Sequence, residues 1–262
     1  MYKIILIIVL FNVTSVLAKS PFDSQKDKIK SLNKIYVLTD SLIVDDLKGK
    51  NIGLNTNYNF ALGKSLFKNL IFLLNHSLHA EFTHIINSVG LYEQDNVYLL
   101  DSSDLNTKII LPKFDEEVNI ENQQNFLNEL NPLVDRSFDM TRPAKMHKKY
   151  QLKMLEKDFT RISRVGLKEG EAVLMLVTSG IKVPGKKTAG KAALVGILTL
   201  GMVIAIETSA TNFNVVLIDN KGTLLWAGKS FKAGKGDKDK KQLKLLKKAF
   251  KGFPLKLNKI SH

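Results

Sequence analysis

Apolar residues in this chain fall partly into short unbroken runs and partly into helically spaced stripes, and the two patterns alternate along its length. The stretch around which the rest is organised is Phe213–Phe231, FNVVLIDNKGTLLWAGKSF. An apolar run to Ile218, the turn residues Asp219-Asn220-Lys221-Gly222 and a second run through Trp226 predict a β-hairpin. Gly222 stands where a type I turn followed by a left-handed bulge residue needs it. The first run is almost wholly apolar, which predicts a strand buried on both faces in the middle of a sheet. Alternation with Leu224 turns Trp226, the only tryptophan, toward the core.

The same reading places the other elements. Lys34–Thr39 is a β-branched and aromatic run and predicts a first strand, continued or flanked by Leu42–Val44 before an Asp45-Asp46 turn. Lys48-Gly49-Lys50-Asn51 reads as a turn into Ile52-Gly53-Leu54. Asn57 is the expected cap of a helix whose Leu62, Leu66, Leu70, Leu73 and Leu74 recur at helical spacing. Glu81–Ser88 is compatible with a continued helix or a strand, and we read it as a strand. Asn96–Leu100 and Lys108–Leu111 read as further strands, and Asp115–Leu130 as a helix broken at Pro132. Thr141-Arg142-Pro143 is the candidate internal boundary.

Beyond it, Lys145–Val165 predicts one amphipathic helix with Met146, Tyr150, Met154, Leu155, Phe159 and Ile162 on its apolar side. Glu171–Thr178 predicts a buried strand and Ser179–Gly190 a loop. Asp239–Phe253 predicts a last helix docked by Leu243, Leu246, Phe250 and Phe253, and stopped by Gly252 and Pro254. Together these elements predict an α/β fold: a mixed β-sheet with helices packed mainly on one face, over residues 34–254. Residues 19–33 are expected as a flexible lead and 255–262 as a tail.

The amino terminus changes the picture most. Lys3 is followed by the unbroken apolar run Ile4–Phe11, and Val16-Leu17-Ala18 puts small residues at the −3 and −1 positions of a cleavage site. That order is that of a secretory signal peptide over residues 1–18, so the mature chain is expected to begin at Lys19 in the periplasm or outside the cell. With no cysteine the chain makes no disulfide and carries no acylated cysteine. Export also argues against nucleic acid as a partner of the basic half.

Charge is unevenly spread. Residues 19–140 carry 12 Lys+Arg against 17 Asp+Glu, and residues 141–262 carry 26 against 8, so the halves differ in sign. Such a division suits an acidic partner, an anionic surface or head-to-tail self-association. Its densest part is the last helix, where Lys240, Lys244, Lys247, Lys248 and Lys251 should project outward as a binding face.

Candidate chemistry adds little. Gly180-Ile181-Lys182-Val183-Pro184-Gly185-Lys186-Lys187 follows an apolar strand as a phosphate loop would, but Lys187 occupies the position of the metal-binding hydroxyl. We read it as a basic surface loop. His76, His79 and His84 lack the spacing of a zinc motif and fall on the polar side if the preceding helix continues, hence on a solvated face. No nucleophile motif is present, and no cofactor or metal is expected. Ala192–Ile206 is charge-free, but as a helix it would reach only about 22 Å, short of a bilayer core. A buried internal segment fits better than a membrane contact, so no stable membrane span is expected in the mature chain.

The apolar strand Ala172–Thr178, Val215–Asp219, Gly222–Trp226 and the helix Leu243–Pro254 form a series that resembles the small α/β periplasmic domains of bacterial envelope proteins. These are the periplasmic part of the curli secretion lipoprotein, the amino-terminal domain of TolB and penicillin-binding-protein activators. The resemblance covers Lys145–Pro254 and departs in the missing acylated cysteine. It implies a non-enzymatic periplasmic domain that binds or assembles with envelope components. The alternatives are a secreted factor that binds a surface through its basic half, and a periplasmic hydrolase.

Overall fold

A computed structural model describes residues 20–47, 51–54, 56–87, 120–135, 143–182, 209–233 and 238–258. Its centre is a six-stranded mixed sheet. The path runs β2 (Asn51–Leu54), β1 (Lys34–Leu47), β4 (Glu171–Lys182), β5 (Ala210–Asp219), β6 (Leu224–Ala233). The additional strand β3 (Glu81–Asn87) lies parallel beside the first half of β1, while β2 pairs antiparallel with its end. β1 and β4 are parallel, and β4, β5 and β6 form an antiparallel meander.

The expected α/β class is what the residues build. β5 is flanked by strands on both sides and covered on both faces, and all ten of its residues are buried. This is why its run carries so few polar side chains. One face of the sheet presents Thr39, Leu174, Leu217 and Trp226, which share a side through the strand register. Against it pack α1 (Lys26–Lys30), α2 (Thr56–Leu74) and α5 (Asp239–Ala249). The opposite face meets α3 (Ile120–Leu130) through the ring pair Tyr36–Phe126. α4 (Pro143–Leu155) runs along the outer edge of β6.

Several expectations need correction. The lead is docked: Phe22 and Ile29 are buried, and Phe22 lies 5.2 Å from the Trp226 ring. Asp45 and Asp46 do not turn the chain but pair with Gly53 and Ile52, so the connection falls on residues 48–50, outside the described residues. The helix expected to be capped at Asn57 already includes Thr56.

The helix expected over Lys145–Val165 stops at Leu155 and resumes as a 3-10 turn, Thr160–Val165. Between them Asp158 accepts hydrogen bonds from the Thr160 backbone N–H at 2.8 Å and hydroxyl at 3.1 Å, giving the chain a local alternative to the helix. Strand β4 runs on to Lys182, so Gly180 sits opposite Thr211 in the sheet and not in a loop. The candidate boundary at Thr141–Pro143 does not divide the sheet, since the twelve β1–β4 pairs join the acidic to the basic half. The signal segment 1–18, the strands expected at 96–100 and 108–111, the apolar run 192–206 and Pro184–Lys187 lie outside the described residues.

Candidate interaction surface

The hairpin turn is held by its own aspartate. Asp219 accepts hydrogen bonds from the backbone N–H of Lys221 at 2.9 Å and of Thr223 at 2.7 Å, and it forms an ion pair with Lys28. Burial of Asp219 works to raise its pKa, but the Lys28 ammonium and the two N–H groups outweigh it and the carboxyl titrates lower than usual. Gly222 has φ +81°, and a β-carbon there would meet the backbone of Phe159 and Thr160. Asp219 and Gly222 are therefore scaffold, as the sequence suggested.

Trp226 is fully buried on the sheet face toward α5. Phe253 meets it edge-on at 5.4 Å and Phe250 lies stacked at 6.5 Å, which fastens the end of α5 to the hairpin. The buried stripe of the helix is Gln242, Leu245, Leu246, Ala249 and then Phe250, whereas Leu243 is only half-buried. Polar contacts set this rotation: Asn69 of α2 donates to Gln242 Oε1 at 2.7 Å, and Ser65 to Asp239 Oδ1 at 2.7 Å.

Asp239 is the only carboxylate of α5 and is engaged by α2. Lys240, Lys244, Lys247, Lys248 and Lys251 are all exposed, as expected, and among the described residues none makes an ion pair. Lys232 of β6 lies beside this group. Its ammonium is held below the usual lysine range, first by partial burial and then by repulsion from Lys241, Lys244 and Lys248. The charge is concentrated, and the helix holding it is fixed by its apolar side.

The free edge of β6 is covered in a way that sequence reasoning missed. His147 Nδ1 lies 3.1 Å from the Lys229 carbonyl oxygen and 3.3 Å from its nitrogen, and Gln151 Nε2 donates to the Ala227 carbonyl at 3.0 Å. Two side chains four residues apart on α4 thus take the backbone groups that a further strand would use. Burial holds His147 toward its neutral form. The i, i+4 spacing of His147 and Gln151 was visible, but nothing local identified the strand they would meet.

The strand expected over Glu81–Ser88 forms as β3, but the solvated face expected for His84 needs correction. His84 lies on β3, half-buried, stacked on Phe67 at 4.1 Å with Nε2 2.8 Å from Thr39 Oγ1. His76 and His79 are exposed beyond the end of α2. Among the described residues no group of three His, Asp or Glu side chains could hold a metal ion.

Burial, and secondarily the charge of Lys64, lower the His84 pKa from 6.5 to about 4. Between those values the unfolded chain binds the extra proton, so stability rises with pH across this window, and its loss on acidification levels off once the native ring is protonated below about 4. The full shift corresponds to about 3 kcal/mol. We expect urea unfolding at pH 7 and pH 4 to show this loss, and His84→Gln to remove it. An equal acid loss in His84→Gln would refute the assignment.

On the opposite side of the sheet a cleft of about 580 Å³ opens between α3 and the starts of β1, β3 and β4. Tyr36, Thr83 and Ile85 form its floor, and Phe126, Glu129 and Arg164 stand around it. Glu129 is engaged by Arg161 Nε at 2.6 Å, and the described lining contains no histidine or cysteine. The cleft offers polar and aromatic contacts.

Compared with protein-family models, curated proteins and solved structures, the chain matches none. No helix among the described residues is long and apolar enough to cross a membrane.

Proposed function

We propose that this chain is an exported, non-enzymatic binding or assembly protein of the bacterial envelope, working in the periplasm by surface contact. The observation that carries this reading is the row of exposed lysines on α5, Lys240, Lys244, Lys247, Lys248 and Lys251, unpaired among the described residues. Helix α5 is clamped by Trp226, Phe250 and Phe253 on one side and by α2 on another, so its charges are presented without further ordering. The signal-peptide pattern at Met1–Ala18 supports export, and the lack of a nucleophile motif is compatible with a contact role.

The test is charge reversal. Lys244→Glu, Lys247→Glu and Lys248→Glu alter exposed positions, where stability should move by only about 0.5 kcal/mol each. We expect the folded triple variant to cosediment much less with isolated envelopes than the parent. The parent should lose binding as salt is raised, because exposed charge contacts are screened. Undiminished cosedimentation of the variant would refute the proposal and leave α5 as a solvated face.

A further inference from the structure

The lysines of α5 form one part of a larger face whose other part lies on α4. Two sets of contacts fix the arrangement. Along α4, His147 meets Lys229 and Gln151 meets Ala227, so the helix runs antiparallel to β6. Along α5, the Ser230 hydroxyl donates to the Leu245 carbonyl, and Gly228 faces Ala249, which gives the same direction. The two helices therefore lie side by side with β6 between them. They approach each other at Gly228, which faces both Ala249 and His147.

Helix α4 spends its sides unequally. Met146, Tyr150 and Met154 enter the core, and His147 and Gln151 hold the strand. What remains outward is Lys148, Lys149, Leu152, Leu155 and Lys153, the last paired with Asp135. Leu155, expected on the apolar side, is 46% exposed and Leu152 is 51% exposed. Among the described residues, Phe72 is the only other large apolar side chain that is exposed, and it is less open than either. The helix has no carboxylate in its own sequence, and the nearest acids are Asp135, which is paired to Lys153, and Glu156, which follows Leu155. By helical spacing Lys148 and Leu155 lie on the His147 side of α4, the side nearer α5.

A nucleic acid would use the lysines and leave the leucines wet. A bilayer containing anionic lipid takes both kinds of side chain. Phosphates meet the ammonium groups while leucines enter the boundary between headgroups and acyl chains. Lysine stems can lie along the apolar layer with their charges kept in water. No membrane-spanning helix is needed for this mode.

We propose that α4 and α5 form a peripheral docking face for an anionic lipid bilayer. Leu152 and Leu155 insert at the headgroup boundary, and Lys148, Lys244, Lys248 and Lys251 sit over the phosphates. The inference rests on the proposed contact role of α5 and specifies its partner as lipid.

The experiment is sedimentation of the full folded chain with two kinds of vesicle, phosphatidylethanolamine with phosphatidylglycerol, and phosphatidylcholine alone. Binding is expected to the first and not to the second. Leu152→Ser with Leu155→Ser should weaken partitioning about tenfold, the effect of withdrawing two half-exposed leucines from an apolar layer. At about 1 M salt, where the screening length is about 3 Å, the parent should keep a residue of binding that this variant lacks. The substituted positions are exposed, and an unchanged melting temperature confirms that the variant is folded.

Vesicle binding that is equal in parent and leucine variant overturns the inference, as does absence of binding to the phosphatidylglycerol vesicles. If envelope cosedimentation is nevertheless lost on charge reversal in α5, the contact role stands with a partner other than lipid. If charge reversal leaves cosedimentation intact, the contact role itself has failed.

Discussion

Trp226→Ala should lower the unfolding free energy by about 3–5 kcal/mol, the usual cost of emptying a large aromatic site in a core. The indole is fully buried and joins three other parts of the fold to β6. Phe22 comes from the N-terminal lead, Phe250 and Phe253 from the end of α5, and His147 from α4 at 6.1 Å. Its removal therefore loosens the lead, the last helix and the edge cover together. Against a typical total stability of about 5–15 kcal/mol, that is a large fraction. Because Trp226 is the only tryptophan, the measurement must be urea unfolding followed by far-ultraviolet circular dichroism. A midpoint equal to that of the parent would show that the side chain does not fill a core site.

Gly228→Ala should be nearly as damaging, for the opposite reason. A β-carbon at Gly228 runs into the Ala249 carbonyl oxygen and lies 3.1 Å from His147 Cε1. The strand cannot withdraw, since it is held to β5 on one side and to His147 and Gln151 on the other. Helix α5 has to move instead. Overpacking of this kind costs about 1–3 kcal/mol, and the backbone collision places this case near about 3 kcal/mol. The readout is specific: tryptophan emission should shift to the red as Phe250 and Phe253 are drawn off Trp226, and proteases should cut α5 sooner. Parent-like emission together with parent-like stability would mean that α5 does not sit against β6 at this point.

What the sequence reveals about this fold follows from how local each cause is. The hairpin was legible because its apolar runs and its D-N-K-G turn are adjacent, and both act within a few residues. The lysine face of α5 was legible from spacing alone. Its rotation was not, because Leu243 and Leu245 are equally apolar. The choice is made by Ser65 and Asn69 of a distant helix, which hold Asp239 at the rim and Gln242 in the interior. The interruption after Leu155 was hidden for a related reason. The 3-10 turn continues to bury Phe159 and Ile162 at near-helical intervals, so periodicity does not register the break.

The docked lead shows the same limit. Phe22 and Ile29 stand isolated among charges, and the Trp226 ring that Phe22 meets lies some two hundred residues away. His84 was misplaced because its neighbours Phe67 and Thr39 belong to other elements. The exposure of Leu155 was masked by the opposite error, in which an apolar stripe was assumed to be wholly internal.

The parallel pairing of β1 with β4 has a consequence for how this chain comes into being. β1 is made early, yet on one side it is bordered over twelve residues by a strand made after the middle of the chain. β4 in turn pairs with β5, whose residues are all buried. The N-terminal half cannot close its core by itself, and contacts between such distant segments form slowly because a long loop must first be closed. A chain of this design stays open while its first half is synthesised. If the chain is exported as proposed, that open state is the one a translocation pore accepts, and folding follows once β4 and β5 have emerged.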